Sequence, residues 1–243
     1  LNLMLNLRLA KKKDINNIQK FIHLNFKKNH ILSENKELFN WLYVNKNVNC
    51  LMALNKKKNV GIYLFTPLNQ FDKKLPTNQI FLSTWTIEGF KKKTISNAKN
   101  KQSVAIAIRM LNKIYQFLEK KFTINVGIDP RLVKFHELKK IKSTISNHHF
   151  IVSPKVKTLK ILKDVSKNFI NNTKNNNKNY SYFEIKNKNQ FKKFNLNRLF
   201  SFQVPIKSID YLVNRYLKHP IYKYHIFAIS NKTIKCLCVL RIV

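Results

Sequence analysis

Three strand-like segments followed by one long helical pattern constrain the fold of this chain more than any other feature. Residues 48–54, 60–66 and 79–87 are rich in apolar and β-branched side chains and are bounded by polar turns or by Pro67. Residues 102–121 then carry apolar side chains at spacings of three and four, which predicts an amphipathic helix. The apolar positions of that helix are Val104, Ile108, Leu111, Ile114, Tyr115 and Leu118.

The flanking segments extend this core to the order β-α-α-β-β-β-α-β-α-β. Residues 3–10 read as a strand, Asp14 is a suitable N-cap for the helix that follows, and Ser33 can cap a second helix. Beyond the long helix, residues 123–128 read as a strand, and Asp129-Pro130 is a strong helix start.

The order of elements also predicts a division of the chain. Residues 1–154 form one domain in this interpretation, and residues 155–181 form a connecting segment with an Asn/Lys-rich linker. Residues 182–243 repeat the opening β-α-α-β-β order, which indicates the first part of a second copy.

The formal net charge of +36 favours anionic ligands. Only six of the 47 basic residues are arginine. Proteins that recognise phosphates and bases specifically prefer arginine, because its guanidinium donates two hydrogen bonds side by side. Abundant Lys and Asn are instead typical of an AT-rich genome, so a specific nucleic-acid partner is not expected. A basic RNA-associated protein remains an alternative.

The three cysteines, Cys50, Cys236 and Cys238, lie in strand-like runs and are expected as buried thiols in a reducing, cytoplasmic compartment. No zinc-ligand spacing and no run long enough for a membrane span occur. A start at Leu1 and an end at Val243 inside an apolar run are typical of a clipped reading frame.

Several stretches, taken in order, resemble the GNAT acyltransferases, and in particular the tandem GNAT-like proteins of surface-polysaccharide biosynthesis. They are residues 27–33 (KKNHILS) with 37–41 (ELFNW), 60–62 (VGI) leading to 67–72 (PLNQFD), and 147–150 (NHHF). The resemblance implies an α/β fold of the α+β type: a mixed, mostly antiparallel sheet flanked by helices, followed by a partial second GNAT-like unit.

This resemblance also implies a function. It is acyl-CoA-dependent N-acyl transfer, with acetyl-CoA or another acyl-CoA as co-substrate, no metal, and a small-molecule amine as acceptor. A nucleotide amino sugar for a surface glycan is one such acceptor.

The resemblance places the CoA site on the fourth strand and at the start of the long helix, where backbone N–H groups meet the pyrophosphate. A bulge near Trp85–Ile87, a splayed fourth and fifth strand, and free amides at residues 102–107 are expected. Ala105 and Ala107 stand where the family has glycines. The cofactor-binding candidates are Trp85, Thr86, Ile87, Gln102, Ser103, Val104, Ala105, Ile106 and Ala107.

Acyl transfer also needs a base for the amine and an acid for the thiolate. Glu88, at the end of the fourth strand, is the first candidate base, and Asp129 is the second, although an N-cap role would explain Asp129 fully. Phe135 matches the position of the family's tyrosine acid and cannot donate a proton, so His136 or His148 is the substitute considered.

Two further interpretations stay open. The aromatic residues Trp41, Tyr43, Phe71 and Trp85 can line an acceptor pocket or belong to the core. An inactive GNAT-like binding or assembly module is also consistent with Ala105 and Ala107, with Phe135, and with the incomplete second copy. The exposed sheet edge of such a partial copy invites oligomer formation.

Overall fold

The computed structural model describes residues 4–89, 98–117, 122–125, 137, 180–194, 196, 199–200, 205–231 and 233–241. The chain divides into two compact units, one of Leu1–Val126 with Tyr182–Val243 and one of Gly127–Ser181. Nearly all described residues belong to the first unit. The predicted boundaries at residues 154 and 181 therefore stay predictions.

Five strands form one sheet in the order β1-β2-β3-β4-β5. The neighbours from β1 to β4 pair antiparallel, and β4 and β5 pair parallel. This mixed, mostly antiparallel sheet confirms the predicted fold class. The bounds are β1 Leu5–Ala10, β2 Val48–Asn55, β3 Lys58–Pro67, β4 Gln79–Ile87 and β5 Phe122–Asn125.

Helices cover both faces of this sheet. Successive side chains of β3 alternate between the faces: Ile62 and Leu64 pack with the helices that precede β2, whereas Gly61 contacts the long helix that follows β4. The helices are α1 Ile15–Asn25, α2 Ile31–Glu34, α3 Lys36–Tyr43 and α4 Ala98–Phe117.

One predicted helix cap is wrong, and the other is right in position only. The side-chain oxygen of Asn35, not Ser33, accepts a hydrogen bond from the Leu38 amide at the start of α3 (2.7 Å). Asp14 directly precedes α1 but makes no side-chain cap bond there. Its carboxylate instead accepts bonds from the Arg8 guanidinium and the Lys11 amide, which fixes the turn between β1 and α1.

Helix α4 begins four residues before the predicted start at Gln102. Its sheet-facing side chains include Ile106, Met110 and Ile114, all buried. Two residues of the predicted apolar stripe, Val104 and Ile108, are 37% and 36% exposed. This part of the prediction was wrong because the helix carries apolar side chains on two faces, and spacing alone does not say which face meets the sheet.

The carboxyl-terminal residues form a second sheet in the order β6-β7-β8, which is the sheet order of β1-β2-β3. The predicted continuous helix over residues 189–199 is wrong: among the described residues a short helix ends at Phe191, residues 192–194 form turns, and residues 199–200 are helical again. The elements are β6 Ser181–Ile185, α5 Lys188–Phe191, α6 Ile209–Leu212 with a π-helical turn Val213–Leu217, β7 Tyr224–Asn231 and β8 Thr233–Arg241.

One hydrophobic core joins this second sheet to the connection between β3 and β4. Leu68, Phe71 and Leu75 from that connection pack among Ile185, Phe191, Leu196, Tyr211, Leu212, Val213, Ile226 and Ala228. Hydrogen bonds follow the same contact, since the Asn214 amide donates to the Phe71 carbonyl (2.7 Å). The two sheets are therefore parts of one packed body rather than separate modules.

The cysteine prediction is partly right. Cys50 is buried, and burial raises the pKa of its thiol. Cys236 and Cys238 are only half-buried, and their sulfur atoms lie 3.9 Å apart without a disulfide. They face the same side of β8 because residues two apart in a strand share a face.

Candidate active site

A bulge in β4 is the main irregularity of the first sheet. Tyr63 pairs with Trp85 and Phe65 pairs with Leu82, so one residue of β3 opposes two of β4. The extra residue lies at Ser83-Thr84, two positions before the segment where the sequence predicted it. A bulge bends its strand and disturbs the ladder locally, and such irregularities occur often beside active sites.

The pairing of β4 with its other neighbour is described up to the same place. The described residues of β5 pair with residues 79–82 of β4, the last pair being Leu82↔Asn125, and β3 pairs with β4 as far as Ile87. Within the described part of the chain, residues 83–87 therefore have a partner on one side only. We call residues 83–87 the open edge of β4.

The three predicted cofactor residues of β4 all lie on this open edge, in different surroundings. Trp85 stacks on the Tyr63 ring (5.1 Å between centroids, 12° between planes), and its indole N–H is buried without an acceptor. The Thr86 hydroxyl donates to the Asn25 carbonyl, and Ile87 is buried. Thr86 and Ile87 thus use their side chains in packing.

Ser83 is a residue that the sequence analysis missed. Its side chain is exposed at the bulge, where the hydroxyl donates to the Leu64 carbonyl and lies 3.1 Å from the Tyr43 hydroxyl. Burial raises the pKa of Tyr43, so this phenol stays protonated. A pair of polar residues, Ser83-Thr84, inside an apolar strand was the available signal.

The start of α4 lies beside the end of β4. The Ser103 hydroxyl donates to the Glu88 carbonyl (2.8 Å), and Gly89, with a φ of 77°, makes the turn that leaves the strand. The first four N–H groups of a helix have no acceptor within the helix. In α4 these belong to residues 98–101, and the positive end of the helix dipole lies there.

The predicted phosphate-binding residues, Gln102–Ala107, therefore begin about one turn after the start of α4, whereas they were expected at its start. Ser103, Ile106 and Ala107 are buried against the sheet, Val104 and Ala105 are exposed, and Gln102 is half-buried. Their amides fall in the hydrogen-bonded part of α4, since only the first four lack a helical acceptor. Free amides at Gln102–Ala107 were therefore a wrong expectation, and the amides available to an anion are those of residues 98–101.

Glu88 lies at the end of the open edge, as the sequence predicted, and forms an ion pair there. Its carboxylate is 2.5 Å from the Lys58 ammonium, with side-chain exposures of 40% for Glu88 and 69% for Lys58. A water-accessible carboxylate of this kind can accept a proton once Lys58 moves away. Asp129, His148, Phe135 and His136 lie outside the described residues, so their roles stay predictions.

Two general features can be stated for the described residues. None of their helices has the length and apolar character needed to cross a membrane. Their His, Cys, Asp and Glu side chains nowhere form a group of three or more suited to a metal ion.

No protein-family model and no curated protein matches the sequence. Solved structures do show similarity. A Pyrococcus horikoshii protein described provisionally as an acetyltransferase is 11% identical, covers 93% of this chain and 67% of its own, and has a TM-score of 0.47.

Two aminoglycoside acetyltransferases are also similar. One, solved with CoA, is 11% identical over 61% of this chain and 94% of its own, with a TM-score of 0.35. The other, from an uncultured soil metagenomic sample and solved with sisomicin, is 15% identical over 61% and 97%, with a TM-score of 0.38. Because all three TM-scores lie below 0.5, these similarities do not assign a function.

Proposed function

We propose that this protein is an acyl-CoA-dependent N-acyltransferase of the GNAT type that transfers an acetyl group to a small-molecule amine. The observation that carries the proposal is the bulge at Ser83-Thr84, which disturbs the ladder at the open edge of β4. A strand edge with unpaired backbone groups can bind an extended, amide-bearing ligand, and the pantetheine arm of CoA is such a ligand.

The neighbouring helix supplies the second half of the site. The N–H groups of residues 98–101 and the positive end of the α4 dipole can bind the CoA pyrophosphate. The Ser103–Glu88 bond holds this helix beside the end of β4. One acyl-CoA would thus have its pyrophosphate at α4 and its pantetheine arm along the open edge of β4.

In the proposed reaction, the amine nitrogen attacks the thioester carbonyl carbon, the C–N bond forms, and the C–S bond breaks. The oxyanion is stabilised by backbone N–H groups of the open edge. A proton leaves the amine for Glu88, directly or through water, and the leaving thiolate takes a proton from water or from a donor such as His148. An amino sugar is the acceptor that we propose to test first.

Calorimetric titration with acetyl-CoA tests the binding half of this proposal. At about 150 mM salt, we expect saturable binding in the micromolar range, whereas ATP, a polyanion without the pantetheine arm, binds at least about tenfold more weakly. The ATP comparison is needed because a chain of charge +36 attracts any anion. Equal affinity for the two ligands, or no binding at about 1 mM acetyl-CoA, would contradict the proposal.

Turnover tests the other half. Release of free thiol from acetyl-CoA in the presence of glucosamine and other amines should depend on Glu88, so Glu88→Gln should slow it by about 100-fold or more. Lys58→Gln is the matched control, because it removes the ion pair but keeps the carboxylate. If acetyl-CoA binds tightly but none of the amines is acetylated, the protein is a binding module rather than an enzyme.

A further inference from the structure

A cavity lies where the carboxyl-terminal elements meet the end of α3 and the connection between β3 and β4. Its volume is about 340 Å³, within the range of small-ligand sites. It contains no residue of β4 or α4, so it is separate from the open edge. The residues that line it, called here the Trp41 pocket, are Trp41, Val44, Asn45, Gln70, Phe71, Asn214 and Lys218.

The charge around the Trp41 pocket is positive. Lys218 lines the pocket with an exposed side chain, and Arg215 stacks its guanidinium 5.0 Å from the Trp41 ring centre and 4.9 Å from that of Phe71. No carboxylate lines the pocket, and among the described residues none pairs with either cation. Asp72 bonds instead to the Ser208 hydroxyl and the Lys74 amide.

Arg215 also has an unused donor. Its Nη1 atom is buried and has no hydrogen-bond acceptor. A buried charged donor without a partner is unfavourable and calls for an explanation such as a bound anion. The neighbouring His219 cannot provide negative charge, and its burial together with Arg215 and Arg241 lowers the pKa of its imidazole to about 4, so it is neutral near pH 7.

The remaining polar groups of the pocket are carboxamides held in fixed orientations. The Gln70 amide donates to the Trp41 carbonyl (2.7 Å), and its oxygen accepts from the Asn49 amide (2.8 Å). Asn214 donates one of its two amide hydrogens to the Phe71 carbonyl, which leaves the second hydrogen and the oxygen for a ligand. Oriented carboxamides beside an aromatic ring suit a hydroxyl-bearing molecule.

We propose that the Trp41 pocket binds a small hydroxylated organic anion, whose phosphate or carboxylate lies against Lys218 in the positive potential of the neighbouring Arg215 and whose hydroxyl groups bond to Asn45 and Asn214. This site does not depend on the acyl-transfer proposal. It needs the carboxyl-terminal repeat, because Asn214, Arg215 and Lys218 all belong to its π-helical turn or follow it directly.

The two tryptophans of the chain allow a direct test. Trp85→Phe leaves Trp41 as the single tryptophan, so its fluorescence reports on the pocket. At about 150 mM salt, titration with glucose 6-phosphate and with glucuronate distinguishes phosphate from carboxylate, and glucose is the neutral comparison. We expect a saturable signal change below about 1 mM for at least one anion and none for glucose.

Two variants that each remove one positive charge test whether the anion binds in the Trp41 pocket. Lys218→Gln should weaken the responding anion by about tenfold, since it removes a charge-assisted hydrogen bond. Lys223→Gln removes the same charge from an exposed lysine outside the pocket and should leave the affinity unchanged. Equal weakening by both variants, or no saturable response to either anion up to about 10 mM, would overturn the proposal.

Discussion

At the scale of single residues, the Arg8–Asp14 pair gives the clearest expectation. The guanidinium donates to both carboxylate oxygens (2.8 and 2.9 Å), and the Lys11 amide donates to one of them (2.7 Å). The hydrogen bonds from Arg8 hold the pKa of Asp14 below its ordinary value. Asp14 therefore adds stability above the unfolded-chain pKa of about 4, and this stability is lost as the pH falls through the folded-state pKa.

Asp14→Asn should lower the free energy of unfolding at pH 7 by about 1–3 kcal/mol, measured by urea denaturation, because Arg8 loses its charged acceptor. The difference from the parent protein should shrink as the pH falls below about 4. Asp210→Asn, which breaks the more exposed Lys188 pair, is the control and should cost about 1 kcal/mol or less. A pH-independent loss in Asp14→Asn would contradict the explanation.

Gly61 gives a second expectation at this scale. A Cβ atom at this position would lie 2.7 Å from the sulfur of Met110, which is fully buried, and 3.4 Å from the Ala53 Cβ. Gly61→Val should therefore lower the free energy of unfolding by about 1–3 kcal/mol, because it overfills the contact between β3 and α4.

The partner residue provides the control for Gly61. In a double-mutant cycle with Met110→Ala, the cost of Gly61→Val should fall, because the side chain that clashes has been shortened. Strict additivity of the two substitutions would show that the sulfur contact is not the cause.

At the scale of elements, the bulge in β4 can be removed without changing which residues of β3 and β4 face each other. Deletion of Thr84 would let Ser83 oppose Leu64 and would keep the pairs Phe65↔Leu82 and Tyr63↔Trp85. The variant should stay folded, with its thermal midpoint close to that of the parent, but should bind acetyl-CoA at least about tenfold more weakly, because the strand no longer bends.

The matched control for this deletion is Ser83→Ala, which keeps the bulge and removes only the hydroxyl. Calorimetry with acetyl-CoA should then separate the two effects. If the Thr84 deletion folds and binds acetyl-CoA as well as the parent protein does, the open edge is not the cofactor site.

The elements also show how far the sequence leads. The bounds of β4 were predicted correctly as residues 79–87, because an unbroken β-branched and aromatic run lies between polar turns. The place of the bulge was missed, since it depends on how many residues of β3 oppose those of β4. The exposed Val104 and the early start of α4 were missed because helix-forming residues precede Gln102 and two apolar faces compete.

The candidate site was foreseen in outline only. Glu88 and Trp85 lie where the strand pattern placed them, whereas α4 begins at Ala98, so Gln102–Ala107 lie inside the helix rather than at its start. Nothing in the sequence indicates that Arg215 packs over both Trp41 and Phe71, because such a contact depends on how distant elements pack.

At the scale of the whole molecule, the shared core predicts that the two sheets depend on each other. Phe71 is buried and contacts Trp41, Tyr211 and Arg215. Phe71→Ala should lower the free energy of unfolding by about 3–5 kcal/mol, and hydrogen exchange should accelerate in β7 and β8 as well as in β4.

Phe26→Ala is the comparison for this variant, because that ring is 49% exposed and should contribute far less. Faster exchange confined to β3 and β4 in Phe71→Ala would show that the second sheet is stable without this core.

The same core has a consequence for biosynthesis. Phe71 and Asn214, which are bonded in the folded protein, are 143 residues apart in the chain. A ribosome takes on the order of ten seconds to add that length. During this interval Leu68, Phe71 and Leu75 lack the apolar side chains of residues 185–228 that cover them in the folded protein, so the nascent chain exposes an apolar segment. We expect chaperones that act at the ribosome to bind this segment until the last strands emerge. The long sequence separation should also make the packing of the second sheet onto this segment a late and slow step of folding.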